Sequence, residues 1–143
     1  SNQVARRLLH GQAMLVASPA LPDLDTLHQP QDLTRFPLLG LATIWAGGLP
    51  LQNGIEEMTL PFNPPLRLGS HLAVRDALVV GAGIAVLPGM IARAEIAAGR
   101  LVRVLPDWST PRKAIYFVYP SAQSVTARLR AFIDHLAQEM GED

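Results

Sequence analysis

The chain has 143 residues, 49% of them hydrophobic and 17% charged, and its 12 basic residues balance its 12 acidic ones. This is the composition of one globular domain with a real core, and its only adjacent basic pairs are Arg6–Arg7 and Arg112–Lys113, too few for a phosphate-gripping stripe. There is no cysteine, which excludes thiol catalysis, disulfides and cysteine-ligated zinc and is compatible with a reducing cytoplasm.

No apolar run approaches the roughly 18–20 residues that span a bilayer; the longest, Ala77 to Pro88, is broken by Gly81 and Gly83. The opening Ser1-Asn2-Gln3-Val4-Ala5-Arg6-Arg7 lacks the apolar segment of a signal peptide and an initiator Met, so it reads as an internal start or a cloning remnant. Gln12 to Ser18 is a short apolar strand stopped by Ser18-Pro19. Gln29 to Leu33 begins a short helix closed by Phe36-Pro37, and Leu38 to Thr43 is a second buried strand. Ile44 to Pro65 is turn-rich, with Met58-Thr59-Leu60 as a short strand inside it, and Leu66 to Leu68 alternates towards Gly69.

Ser70 caps a helix from His71 to about Val80, which Gly81-Ala82-Gly83 ends. Ile84 to Leu87 is a strand, and Pro88 opens a second helix as its first residue, with Gly99 as its stop. Leu101 to Leu105 and Ala114 to Tyr119 are two more strands. Val125, Leu129, Phe132, Ile133, Leu136 and Met140 form an apolar stripe on a terminal helix. Helices alternating with short buried strands predict an α/β sandwich with a largely parallel sheet.

Little of the sequence suggests catalysis. Gly81-Ala82-Gly83 lies between a helix and a strand, with Val86 where a dinucleotide loop needs its third glycine, so it is a helix stop. His10, His28, His71 and His135 are far apart without helical ligand spacing, and Glu56-Glu57 is a solvated pair in a turn region. Ser70-His71 lacks the strained turn of a nucleophile elbow. We expect no enzyme, no cofactor and no metal. Trp45 and Trp108 read as packing residues. Ser70 has a binding reading, because a helix start presents unpaired N–H groups and partial positive charge to a small carboxylate.

The order of several segments resembles the effector-binding domain of LysR-type transcriptional regulators. They are Val4 to Leu8, Met14 to Ala20, Pro30 to Leu33 with Phe36 to Leu39, Gly81 to Pro88, Gly99 to Trp108, Val118 to Ser121, and Arg128 to Asp134. The match fades between Ala46 and Pro65. The resemblance implies a periplasmic-binding-protein type 2-like architecture, a three-layer α/β/α sandwich whose first lobe is incomplete. On that mapping residues 17–120 form the second lobe, and residues 1–16 and 121–143 are remnants of the first. Family contacts carried onto this chain give effector-binding candidates Leu41, Ala42, Thr43, Ser70, His71 and Leu72, with Ser18 weaker. The implied partners are a small-molecule effector such as an organic acid, further copies of the chain as a homodimer or higher homo-oligomer, and promoter DNA through an N-terminal domain outside this chain. The implied location is the cytoplasm, with no membrane partner. The alternative is one lobe of a periplasmic solute-binding protein.

Overall fold

The computed structural model describes residues 5–42, 45, 47–119, 127, 128, 131, 134 and 135. It divides into two compact units, one of residues 1–12 and 112–143, the other Ala13–Pro111. In the first, strands β1 (Ala5–Gly11) and β9 (Lys113–Tyr119) form an antiparallel ladder from Ala5 opposite Tyr119 to Gly11 opposite Lys113. Strand β1 was not anticipated, because its Arg-Arg-Leu-Leu-His core has neither a clean alternation nor turn residues before it. Ala127, Arg128, Ala131, Asp134 and His135 are helical and exposed, whereas the six residues of the expected apolar stripe lie outside the described residues.

The second unit is built on a sheet. Strand β2 (Ala13–Ala17) is central: it pairs antiparallel with β7 (Ile84–Pro88) on one side and with the two-residue β8 (Val102–Arg103) on the other. Strands β3 (Leu39–Leu41) and β6 (Leu66–Leu68) run parallel, and a parallel bridge from Leu38 to Ile84 joins them to β7. The sheet is therefore mixed, not largely parallel. Strand β2 reaches β7 with the opposite sense, so the parallel pairing is confined to β6, β3 and the start of β7.

Alternation along the strands divides the core into two. Leu15, Ala17, Ile84 and Val86 face one side, where they meet Leu33, Phe36, Leu49, Leu51, Phe62 and Trp108. Val16, Ala85 and Leu87 face the other, against Val74 and Leu78 of helix α1 (His71–Val79) and Ala92 of helix α2 (Gly89–Ala97). Strands buried on both faces read as continuous apolar runs, as Met14-Leu15-Val16-Ala17 and Ile84-Ala85-Val86-Leu87 do. The first face is covered by 3-10 helices, Leu24–Thr26 and Pro30–Arg35, and by the antiparallel hairpin of β4 (Leu49–Gln52) and β5 (Glu57–Leu60). The short helix expected after Gln29 is the second of these. Asp32 accepts from the backbone N–H groups of His28 and Gln29, which holds its carboxyl below the usual range and closes a capping box.

Helices α1 and α2 each end on a glycine with positive φ, Gly81 at 89° and Gly99 at 78°. In each, the glycine N–H and the one after it donate back into the last turn: Gly81 to Leu78 and Ala82 to Ala77, Gly99 to Ile96 and Arg100 to Glu95. Pro88 is the residue before α2, not its first turn: its ψ of 140° is extended, so the helix begins at Gly89. The expected strand Leu101 to Leu105 shortens to two residues, because Leu105 takes a left-handed φ of 49° that no strand continues through.

Candidate functional site

The candidate site lies where the parallel strands end. Leu41 is opposite Leu68 in the β3–β6 ladder, and the Ala42 N–H donates to the Leu68 carbonyl at 3.1 Å, extending the pairing by one residue. Gly69 and Ser70 then turn the chain into α1. Open α/β sheets gather ligands at this carboxyl end of their strands, because every following helix starts there. Ser70 is exposed and extended, with φ −150° and ψ 158°, and its Oγ accepts the Ala73 N–H at 3.1 Å while its carbonyl accepts the Val74 N–H at 3.1 Å. The His71 and Leu72 N–H groups precede the first intrahelical bond and have no acceptor within the helix. No acidic side chain occupies the first turn to offset the positive end of the helix.

His71 is half-buried, and its Nδ1 is enclosed without a hydrogen-bond partner. Burial pushes the imidazole pKa below its usual 6.5, so the ring is held neutral. Leu72 beside it is 52% exposed, an apolar surface at the helix start. The site as it stands offers neutral donors and an apolar contact.

The structure thus brings Leu41, Ala42, Ser70, His71 and Leu72 to one edge; Thr43 lies outside the described residues. Ser18 is placed elsewhere. It follows Ala17, which is opposite Ile84, and Ile84 bridges Leu38 at the start of β3. Because β2 runs against β3 and β7, its last residue sits where the parallel strands begin, at the far edge from Ser70. There Ser18 is buried, its Oγ accepting the Ala20 N–H at 3.1 Å in a turn. Strand direction thus separates Ser18 from the other candidates.

One feature of the same edge escaped the sequence reading. Strand β7 also ends there, and α2 follows with no side-chain cap on its first N–H groups, at Gly89 and Met90. Pro88-Gly89 directly after a buried strand was the available signal. Trp45, just beyond β3, takes a φ of 66°, with its carbonyl accepting the Gly48 N–H at 2.9 Å, and packs half-buried against the first core. Trp108 is buried at 9% exposure. Both are packing residues. Among the described residues no three His, Asp or Glu side chains gather as a metal-binding set. Among the same residues no helix is long and apolar enough to cross a membrane.

Residues 1–141 match the LysR substrate binding domain family. The chain is 38% identical over 143 residues to the HTH-type transcriptional regulator PtxR of Pseudomonas aeruginosa, a match covering 97% of this chain and 45% of that protein. The regulatory domain of AphB from Vibrio vulnificus superposes with a TM-score of 0.68 at 28% identity, over 94% of this chain and 68% of that one. The regulatory domain of CrgA from Neisseria meningitidis shares the fold, with a TM-score of 0.66 at 24% identity over 98% and 70% of the two chains. The chain belongs to the LysR substrate-binding domain family, the regulatory module of LysR-type transcription factors. It spans about half the length of the curated relatives it matches.

Proposed function

We propose that this chain senses a small organic acid for a LysR-type transcriptional regulator and passes the signal through homo-oligomerisation. One observation carries the reading: the Ser70-capped start of α1, with no acidic residue in its first turn, opens at the shared ends of β3 and β6. A carboxylate there gains the His71 and Leu72 N–H groups and the helix dipole, without a basic side chain. Leu41 and Ala42 supply the strand-end wall, Thr43 follows them in sequence as a further candidate, and Leu72 gives an apolar contact. Promoter DNA is engaged through the regulator's N-terminal domain, and the protein works in the cytoplasm. We read residues 17–120 as the second lobe and residues 1–16 and 121–143 as part of the first, a division close to that between the compact unit Ala13–Pro111 and the rest of the chain. The function is regulatory and not catalytic, and the helix-turn-helix regulators among its relatives favour it over a free solute-binding lobe.

The test uses the intact regulator. Ser70→Phe fills the helix start with a ring, so inducer response in a promoter-reporter assay is abolished while operator binding in a gel shift is retained. Unchanged induction in that variant removes Ser70 from the effector site.

A further inference from the structure

The tip of the β4–β5 hairpin is built for a reaction unconnected with effector binding. Its two strands are joined through Asn53, Gly54, Ile55 and Glu56. The Asn53 side chain closes this turn: its Oδ1 accepts the Ile55 N–H at 2.9 Å and the Glu56 N–H at 2.7 Å. The Asn53 N–H donates in turn to the Glu56 carbonyl at 3.2 Å. Gly54 takes a φ of 90° in open space, and Gly54, Ile55 and Glu56 are all exposed.

An asparagine followed by glycine can lose its amide through attack by the next backbone nitrogen, and three features of this turn serve that attack. The nucleophile is accessible: the Gly54 N–H donates to no described residue, and no side chain on Gly54 shields it. The leaving group is equally unheld, since the Asn53 Nδ2 donates to no described residue. The carbonyl is activated, because two N–H groups already point at the oxygen on which negative charge would grow. The ring closed by the Ile55 hydrogen bond contains both the Asn53 Cγ and the Gly54 nitrogen, so one turn holds the reacting atoms.

We propose that Asn53 is a modification site that converts to aspartate and isoaspartate through a cyclic imide. The Gly54 nitrogen gives its proton to water and attacks Cγ, forming a C–N bond and placing negative charge on Oδ1. The Cγ–Nδ2 bond then breaks, and the nitrogen takes up a proton and leaves as ammonia. Water opens the imide at either carbonyl. Attack at Cγ leaves aspartate; attack at the main-chain carbonyl leaves isoaspartate, with one extra methylene in the backbone. The other asparagines are unsuited: Asn63 precedes Pro64, which has no N–H, and Asn2 precedes Gln3, whose side chain crowds the attack. Conversion adds a carboxylate beside Glu56 and Glu57, and isoaspartate lengthens the turn next to the Gln52–Glu57 pair. Gln52 also exchanges two backbone hydrogen bonds of 2.9 Å with Ser109, so the change loosens the hairpin where it is tied to its unit.

The intact regulator is incubated in mildly alkaline buffer beside a synthetic peptide of residues 49–60. Peptide mass spectrometry and an isoaspartyl methyltransferase assay follow both. The folded protein is expected to exchange NH2 for OH at Asn53 at least as fast as the peptide, with Asn63 unchanged. Conversion should slow in mildly acidic buffer, where the Gly54 nitrogen keeps its proton. Asn53→Ser, which keeps a hydroxyl acceptor in the turn but has no amide to lose, should abolish the signal. Hydrogen–deuterium exchange across 49–60 should be faster in the converted protein than in the fresh one. Retention of the Asn53 amide in the folded protein, or conversion slower than in the peptide, overturns the proposal. Neither the reaction nor its readout involves Ser70, so the effector reading stands or falls separately.

Discussion

At the residue scale, two positions near the sheet edge show how closely chemistry and packing are tied. Ser70 satisfies the Ala73 N–H through its Oγ, so Ser70→Ala is expected to cost about 1 kcal/mol of stability, read from urea denaturation. His71 sets a pH dependence whose direction follows from its burial. The folded pKa lies below the unfolded 6.5, so both states are neutral above that value and the ring then contributes no penalty. As pH falls through 6.5 the unfolded chain takes up a proton that the folded chain refuses, and stability drops until the folded pKa is passed. The urea midpoint should therefore decline from about pH 7.5 to about pH 5.5, and His71→Gln should flatten part of that slope. An identical slope in the variant would show that the ring is solvated. Gly83 is constrained more tightly still. A Cβ there would lie 2.3 Å from the Pro37 carbonyl oxygen, the same oxygen that accepts the Ile84 N–H at 2.9 Å to join β3 and β7. Gly83→Ala is expected to cost about 2 kcal/mol or more, since the backbone itself must move.

At the element scale, helices α1 and α2 are held by different means. Helix α1 depends on Val74 and Leu78, both buried against the sheet, while Val80 just past its end is 82% exposed. Leu78→Ala should cost about 3 kcal/mol by leaving a cavity, whereas Val80→Ser should leave the denaturation midpoint unchanged. Helix α2 ends on a polar lock: Arg100 donates to the Glu95 carboxylate, and the Glu95 carbonyl accepts the Arg100 and Leu101 N–H groups. The hydrogen bond from Arg100 is the main reason the Glu95 carboxyl titrates below its usual 4.5. Its stabilisation is present above that value and is lost as pH falls through the lowered one. Glu95→Gln should thus be destabilising at neutral pH and converge with the parent protein in strong acid. These elements were largely legible in the sequence, because their boundaries are local: Ser70, Gly81 and Gly99 act on neighbouring backbone groups. Strand β4 was not, since Leu49-Pro50-Leu51-Gln52 contains a proline and becomes a strand only by pairing with β5 and bonding to Ser109.

At the scale of the whole molecule, the terminal helix carries the next prediction. The apolar stripe that the sequence spacing of Val125, Leu129, Phe132, Ile133, Leu136 and Met140 predicts would forfeit on the order of 1.5–3 kcal/mol for each large side chain left wet. The described helical residues of this segment, Ala127, Arg128, Ala131, Asp134 and His135, are exposed. The chain is expected to form a homodimer that buries the stripe, measured by light scattering across a concentration range. Phe132→Asp combined with Leu136→Asp should give a monomer. A parent protein that is already monomeric at high concentration would count against the stripe as an interface. Balanced charge without a basic stripe predicts, in addition, no sequence-dependent gel shift by this chain alone.

The sequence by itself determined the family, the helix starts and stops, and the strands that are apolar on both faces. All of these rest on residue types acting within a few positions of one another, or on a fixed order of motifs. Tertiary structure decided strand direction, and with it which candidates share an edge. Leu41, Ala42, Ser70, His71 and Leu72 meet because β3 and β6 run parallel, and Ser18 lies at the opposite edge because β2 runs the other way. The β4–β5 hairpin is likewise tied to Ser109, more than fifty residues along the chain, by two backbone hydrogen bonds from Gln52 and Ser109 that no local pattern announces. Period and composition carry no information about the sense in which two distant strands pair; that is set by the packing of the whole sheet.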